Sequence, residues 1–83
     1  MARRLIVMRH AKSSWDQPGL RDHDRPLNPR GQRDAPRIAD ALSERNWSPD
    51  LILLSSSTRT KQTLEGMSHR FGEVATEIRP GIY

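Results

Sequence analysis

Apolar and polar residues fall in blocks along this chain. Two short runs, LIVM at residues 5–8 and LILL at residues 51–54, are continuously apolar. That pattern predicts strands buried on both faces of a parallel sheet. A polar stretch between them leads to Asn28-Pro29, an N-cap followed by the proline that a first helical position tolerates. Ala35, Ile38, Ala39 and Leu42 then recur at i, i+3, i+4 and i+7, one face of a helix. Pro36 interrupts this segment and predicts a kink or a later helix start. The opposite face carries Arg30, Asp34, Arg37 and Asp40, spaced as solvated charge pairs. After the second run, Ser56 or Ser57 caps a second helix whose apolar face is Thr60, Leu64, Met67 and Phe71, with Gly72 at its end. A third strand over residues 76–79 precedes the Pro80-Gly81 break. The order strand, helix, strand, helix, strand predicts an α/β fold with a parallel sheet and right-handed crossovers.

Size and composition narrow the function classes. A chain of 83 residues is at most one domain, and it buries only about 60–65% of its unfolded surface. There is no cysteine, so disulfides and thiolate metal sites are excluded. Neither apolar run can span a membrane. The four apolar residues after Arg3 and Arg4 are too few for a signal-peptide core. The expectation is a soluble, cytoplasmic protein with no membrane partner. Lys and Arg number 14 against 10 Asp and Glu, a formal charge of +4, which favours an anionic partner without naming it.

The two runs place chemistry together. Ligands of open parallel sheets bind beyond the carboxyl ends of the strands. Arg9-His10 follows the first run, and SSSTRTKQT (residues 55–63) follows the second and opens a helix. One imidazole, Arg9, Arg59, several hydroxyls and a helix N-terminus therefore converge at one sheet edge. Helix N-termini attract anions through free amides and the positive dipole end. Arginine adds planar, bidentate donors suited to phosphate.

At these residues the chain resembles the histidine phosphatase superfamily, with its phosphoglycerate mutase-like fold. RHAKSSWD (residues 9–16) resembles its Arg-His signature; DRPLNPRGQRDAPRIADAL (residues 24–42) is similar to the stretch opening its first helix; LILLSSSTRTKQT (residues 51–63) is similar to its SPxxRAxQT segment. RHAKSSW and HDRPLN are most similar to the short SixA-type phosphohistidine phosphatases. The resemblance implies a three-layer α/β/α sheet with flanking helices. It also implies that His10 is the nucleophile, attacking phosphorus to form a phosphohistidine that water hydrolyses. Arg9 and Arg59 would hold the phosphoryl oxygens and stabilise the transition state. Ser13 and Ser14 are further phosphate-binding candidates, weighed evenly against ordinary loop chemistry. No metal and no cofactor is called for. The substrate class implied is phosphohistidine in proteins or another small phosphorylated target.

Two positions depart from the signature: Ala11 stands for its glycine and Asp16 for its asparagine. The family's second pocket histidine comes from a later strand, so residues 1–83 are expected to be the N-terminal part of a single, truncated domain. An exposed sheet edge would then invite pairing of two copies.

Plainer roles compete at other positions. His23 is expected at the surface, His69 in solvent, Arg25 on Asp24 in preference to guiding an anionic substrate, Trp15 packed against its loop and Lys61 solvated. Two non-catalytic functions also stand beside the phosphatase: an anion-binding fragment and a basic nucleic-acid-binding module. Against the latter, Trp15, Trp47, Phe71 and Tyr83 are not interleaved with basic runs, so nucleic acid is not the expected partner.

Overall fold

The computed structural model describes residues 5–15 and 19–83; Arg3, Arg4 and Asp16 lie outside the described residues. Helix α1 spans Pro29–Glu44, strand β1 Leu51–Leu54, helix α2 Thr58–Gly66, helix α3 Ser68–Phe71 and strand β2 Ala75–Ile78. Two 3-10 turns, Asp22–Asp24 and Pro80–Ile82, flank this series.

Local chemistry sets the helix ends. Asn28 caps α1 by accepting from the Gly31 amide at 2.8 Å, with Pro29 in the first turn. Pro36 neither delays the start nor ends the helix, although it cannot donate to the preceding turn. Asn46 ends α1 in the left-handed region at φ 57°. Its amide bonds Ser43 O at 3.0 Å while the Trp47 amide bonds Leu42 O at 2.9 Å, the pairing of a Schellman stop. Ser57, not Ser56, caps α2. The expected single second helix breaks at Met67, which separates α2 from α3, and Gly72 closes α3.

Strands β1 and β2 pair in parallel, Leu51 opposite Ala75 and Leu54 opposite Ile78. The third predicted strand is therefore present one residue early. Ala35 and Ala39 of α1 meet Met67 and Phe71 in the core, with Leu42, Ile52 and Val74 packed against them. Each of the two large buried side chains contributes about 1.5–3 kcal/mol by leaving water. Gly66 lets α2 cross α1 closely, because a Cβ there would lie 2.7 Å from Ala35 Cβ.

Two expectations are corrected. Residues 5–8 form no strand, and Leu5 and Val7 are 87% and 86% exposed. A doubly buried strand needs apolar surface on both sides; here Ile6 and Met8 are only partly covered and the side carrying Leu5 and Val7 is bare among the described residues. The second run does form a strand, yet its exposure alternates, with Ile52 and Leu54 turned inward and Leu51 and Leu53 outward. The α/β fold with a parallel sheet is as expected, and among the described residues the helices cover one face of that sheet. Among these residues no helix is long and apolar enough to cross a membrane.

Candidate active site

The loop after the first apolar run is fixed from three directions. Ser13 and Leu27 form an antiparallel bridge, with the Ser14 amide on Pro26 O at 2.8 Å and the Asn28 amide on Lys12 O at 2.9 Å. The N-terminal turn of α1 presses on the same backbone. A Cβ at Gly31 would stand 2.1 Å from the Lys12 carbonyl oxygen, so only glycine fits. From α2, Thr63 Oγ1 accepts from the Ala11 amide at 3.1 Å and donates to Arg59 O at 2.7 Å. Its neighbour Gln62 accepts from the Leu27 amide at 2.8 Å. The segments following the two apolar runs therefore do meet.

His10 is half-buried, and its Nδ1 lies 2.6 Å from the Ala11 carbonyl oxygen. A carbonyl only accepts, so Nδ1 carries the proton of that bond. In the neutral ring Nε2 then keeps its lone pair, as a nucleophile requires.

Two clefts share Arg9, His10, Ala11 and Asp34. One, of about 250 Å³, is walled by Met8, Ala35, Ile38 and Thr63. The other, of about 410 Å³, is walled by Lys12, Ser13, Trp15, Arg25 and Arg30. Ile38 faces the first cleft, which explains why this residue of the apolar helix stripe is partly exposed. The second cleft collects Arg9, Lys12, Arg25 and Arg30 around His10, with Asp34 as its carboxylate, a surface that suits an anion.

Of the sequence-predicted residues, Arg9, His10 and Ser13 gather around the second cleft. Arg59 and Ser14 line neither cleft. Arg59 instead donates from Nη1 to Asp22 O at 2.6 Å and from Nη2 to Asp22 Oδ2 at 3.0 Å, with Tyr83 beside its guanidinium. The amides of the first turn of α2 are not all free for an anion, since the Thr60 amide donates to Ser57 Oγ at 3.4 Å.

Several side chains take other partners than expected. Arg25 bonds Asp22 Oδ1 at 3.1 Å and Ser13 Oγ, not Asp24; the Asp24 carboxylate lies instead 3.5 Å from His23 Nδ1. Trp15 is not packed into its loop; it is 73% exposed, with the Arg25 guanidinium 3.8 Å over its ring. His23 is half-buried with Nε2 2.8 Å from Ser56 Oγ. His69 donates to Asp40 at 2.7 Å, outside the site.

The residue least visible in the sequence is Asp22. Hydrogen bonds from the Tyr83 hydroxyl, then from Arg25 and Arg59, hold its carboxyl at about 2, below the usual 3.8. With a folded value below the unfolded one, these contacts stabilise above pH 3.8 and are lost as pH falls through about 2. Thr63 and Gln62 had a signal, the QT that ends SSSTRTKQT, but their role as stitches between α2 and the loops needs the fold.

Comparisons with known proteins place the chain in sequence and in fold. The family model described as "Histidine phosphatase superfamily (branch 1)" matches residues 5–82. A chloroplastic protein of Arabidopsis thaliana is 48% identical over 86 aligned residues, covering 100% of this chain and 39% of its own length. A crystal structure from Agrobacterium tumefaciens, assigned as the phosphohistidine phosphatase SixA, superposes with a TM-score of 0.81 at 39% identity, over 89% of this chain and 48% of its own. A protein histidine phosphatase SixA complexed with tungstate superposes with a TM-score of 0.77 at 27% identity, over 88% of this chain and 46% of its own. The chain thus spans half or less of the length of these relatives.

Proposed function

Since the chain belongs to the histidine phosphatase superfamily, we propose that residues 1–83 are the N-terminal part of one phosphatase domain, with His10 as its nucleophile. The observation that carries this reading is the 2.6 Å contact of His10 Nδ1 with the Ala11 carbonyl, which leaves Nε2 free to attack. The Nε2 lone pair forms a bond to phosphorus as the bond from phosphorus to the leaving group breaks, and the leaving group takes up a proton. Water then cleaves the phosphorus–nitrogen bond and releases orthophosphate, restoring neutral His10. Arg9, with Ser13 beside it, meets the phosphoryl oxygens in the cleft; Arg59 and Ser14, which line neither cleft, are the further donors of this reading. Their charge offsets the negative charge spread over those oxygens, which is most of the task in phosphoryl transfer.

The substrate class is phosphohistidine in proteins, or another small phosphorylated target. The open cleft admits a side chain presented by a protein, and the SixA relatives support the first choice. One observation favours a non-catalytic anion site instead: the Arg59 guanidinium is already held by Asp22.

Intact mass at neutral pH, after incubation with a phosphoramidate donor, tests the reading. A phosphoryl adduct is expected on the wild-type chain and none on His10→Ala. Unimpaired phosphatase turnover in His10→Ala would overturn the nucleophile. Tungstate binding without any adduct would favour the anion site.

A further inference from the structure

Two arginines approach the candidate site from different parts of the chain. Arg25, from the polar loop, lines the His10 cleft; Arg59, from α2, stands outside it. One residue joins them. Asp22 Oδ1 accepts from Arg25 Nη2 at 3.1 Å, Oδ2 accepts from Arg59 Nη2 at 3.0 Å, and the Asp22 carbonyl accepts from Arg59 Nη1 at 2.6 Å. Tyr83 donates its hydroxyl to the same Oδ2. Arg59 is thereby held at two points by a single residue, which fixes the plane of its guanidinium as well as its position. Arg25 is fixed by three: Asp22, Ser13 Oγ and the ring of Trp15.

The burial of the three partners is unequal. The side chains of Arg25 and Arg59 are 12% and 13% exposed, whereas that of Asp22 is 53% exposed. Two largely buried cations thus share one counter-charge at the rim. Without it they would repel, and each long side chain would regain its rotamer freedom. Each terminal nitrogen of a guanidinium carries two N–H groups, so Asp22 leaves donors on both arginines for a second acceptor. Both Nε atoms are buried with no partner among the described residues, so the donors open to a second acceptor are those of the terminal nitrogens.

We infer that Asp22 is a positioning residue that yokes Arg25 to Arg59, and that Arg25, so held, is the cation that meets phosphoryl oxygens beside Arg9 in the His10 cleft. This rests on the phosphatase reading above. The lowered Asp22 value fits the role, because the carboxylate stays charged throughout the neutral range. Asparagine at this position keeps the shape but replaces one acceptor with a donor. It can hold one arginine and must turn its amide nitrogen toward the other.

The test is tungstate binding by calorimetry on the intact chain, with circular dichroism to confirm the fold. Asp22→Asn is expected to weaken tungstate about tenfold, the scale of one charge-assisted hydrogen bond. Arg25→Gln should weaken it similarly. The Asp22→Asn penalty should fall by about threefold or more in an Arg25→Ala background, since residues acting through one another are not additive. An unchanged or tighter tungstate affinity in Asp22→Asn would overturn the yoke, as would an equal penalty in both backgrounds. Should Asp22→Asn not fold, Arg25→Gln decides alone, and wild-type affinity there overturns the proposal. Arg9→Ala separates the two levels. Loss of tungstate binding in Arg9→Ala with none in Asp22→Asn sinks only the yoke. Absence of binding to the wild type, or indifference to Arg9→Ala, sinks the phosphate site and the yoke with it.

Discussion

The apolar run at residues 5–8 and the hydroxyl-rich run at residues 55–63 exchange the places that polarity alone would give them. Leu5 and Val7 are almost fully exposed, while Ser55, Ser57 and Thr63 are buried. Ser55, Ser57 and Thr60 hydroxyls lie within 3.1 Å of one another, and the Thr60 hydroxyl also reaches the Ser57 carbonyl at 2.9 Å. Every hydroxyl in that cluster is satisfied within a few residues, so burying it costs little. The hydrophobic effect is different in kind: it is non-directional and needs area, which no local partner supplies. The comparison teaches that the hydroxyl cluster at the start of α2 satisfies itself locally, whereas the apolar run at residues 5–8 depends on surface supplied from elsewhere.

The sharpest way to break this comparison is at Gly31, where helix and loop backbones touch. Helix propensity alone says that Gly31→Ala should stabilise by up to about 1 kcal/mol. The contact says otherwise, because the new Cβ would sit 2.1 Å from the Lys12 carbonyl. That oxygen is part of a backbone bridged to residues 26–28 and cannot rotate aside. Overpacking of this kind costs about 1–3 kcal/mol or more, so the expected net is a loss of about 2 kcal/mol in urea unfolding. A stabilised Gly31→Ala would mean that the loop is not seated on α1.

A smaller effect is expected at Thr63. Thr63→Val keeps the volume and removes the hydroxyl that joins the Ala11 amide to the Arg59 carbonyl. Leaving a partly buried N–H without its acceptor costs about 1 kcal/mol, readable as a lower denaturant midpoint. The valine should also weaken tungstate binding, because the loop carrying His10 loses its tie to α2. If stability falls and tungstate affinity does not, the stitch is structural alone.

How much of this was legible depends on whether the cause was local. Asn28-Pro29, the Ala35–Ala39 stripe and Ser57 each follow from spacing or capping within one segment, and the parallel pairing of β1 and β2 follows from the alternation of strands and helices. Arg9 and His10 were readable as neighbours of a cleft because they follow an apolar run. Asp22 was not, since its meaning comes from Arg25, Arg59 and Tyr83, which are brought to it across up to 61 positions of sequence. Arg59 stands outside the clefts for the same reason: the start of its helix was legible, but Asp22, which holds its guanidinium, was not visible in the motif. The strand expected at residues 5–8 failed on area rather than pattern. Its composition suits burial on two faces, and the described chain covers one in part and leaves the other bare.

That last point yields the smallest expected effect. If the run at residues 5–8 is as unpartnered as its exposure indicates, Leu5→Ser and Val7→Ser should each change the stability of the 83-residue chain by no more than about 0.5 kcal/mol, the range for surface substitutions. Ile52→Ala is the internal control, since Ile52 packs against the core and its truncation should cost more than either. Urea unfolding of the three variants in parallel checks the ranking. A loss above about 1 kcal/mol for Leu5→Ser would show this run packed in solution against other parts of the chain or against a second copy. Dependence of that loss on protein concentration separates the two, because only pairing of copies responds to concentration.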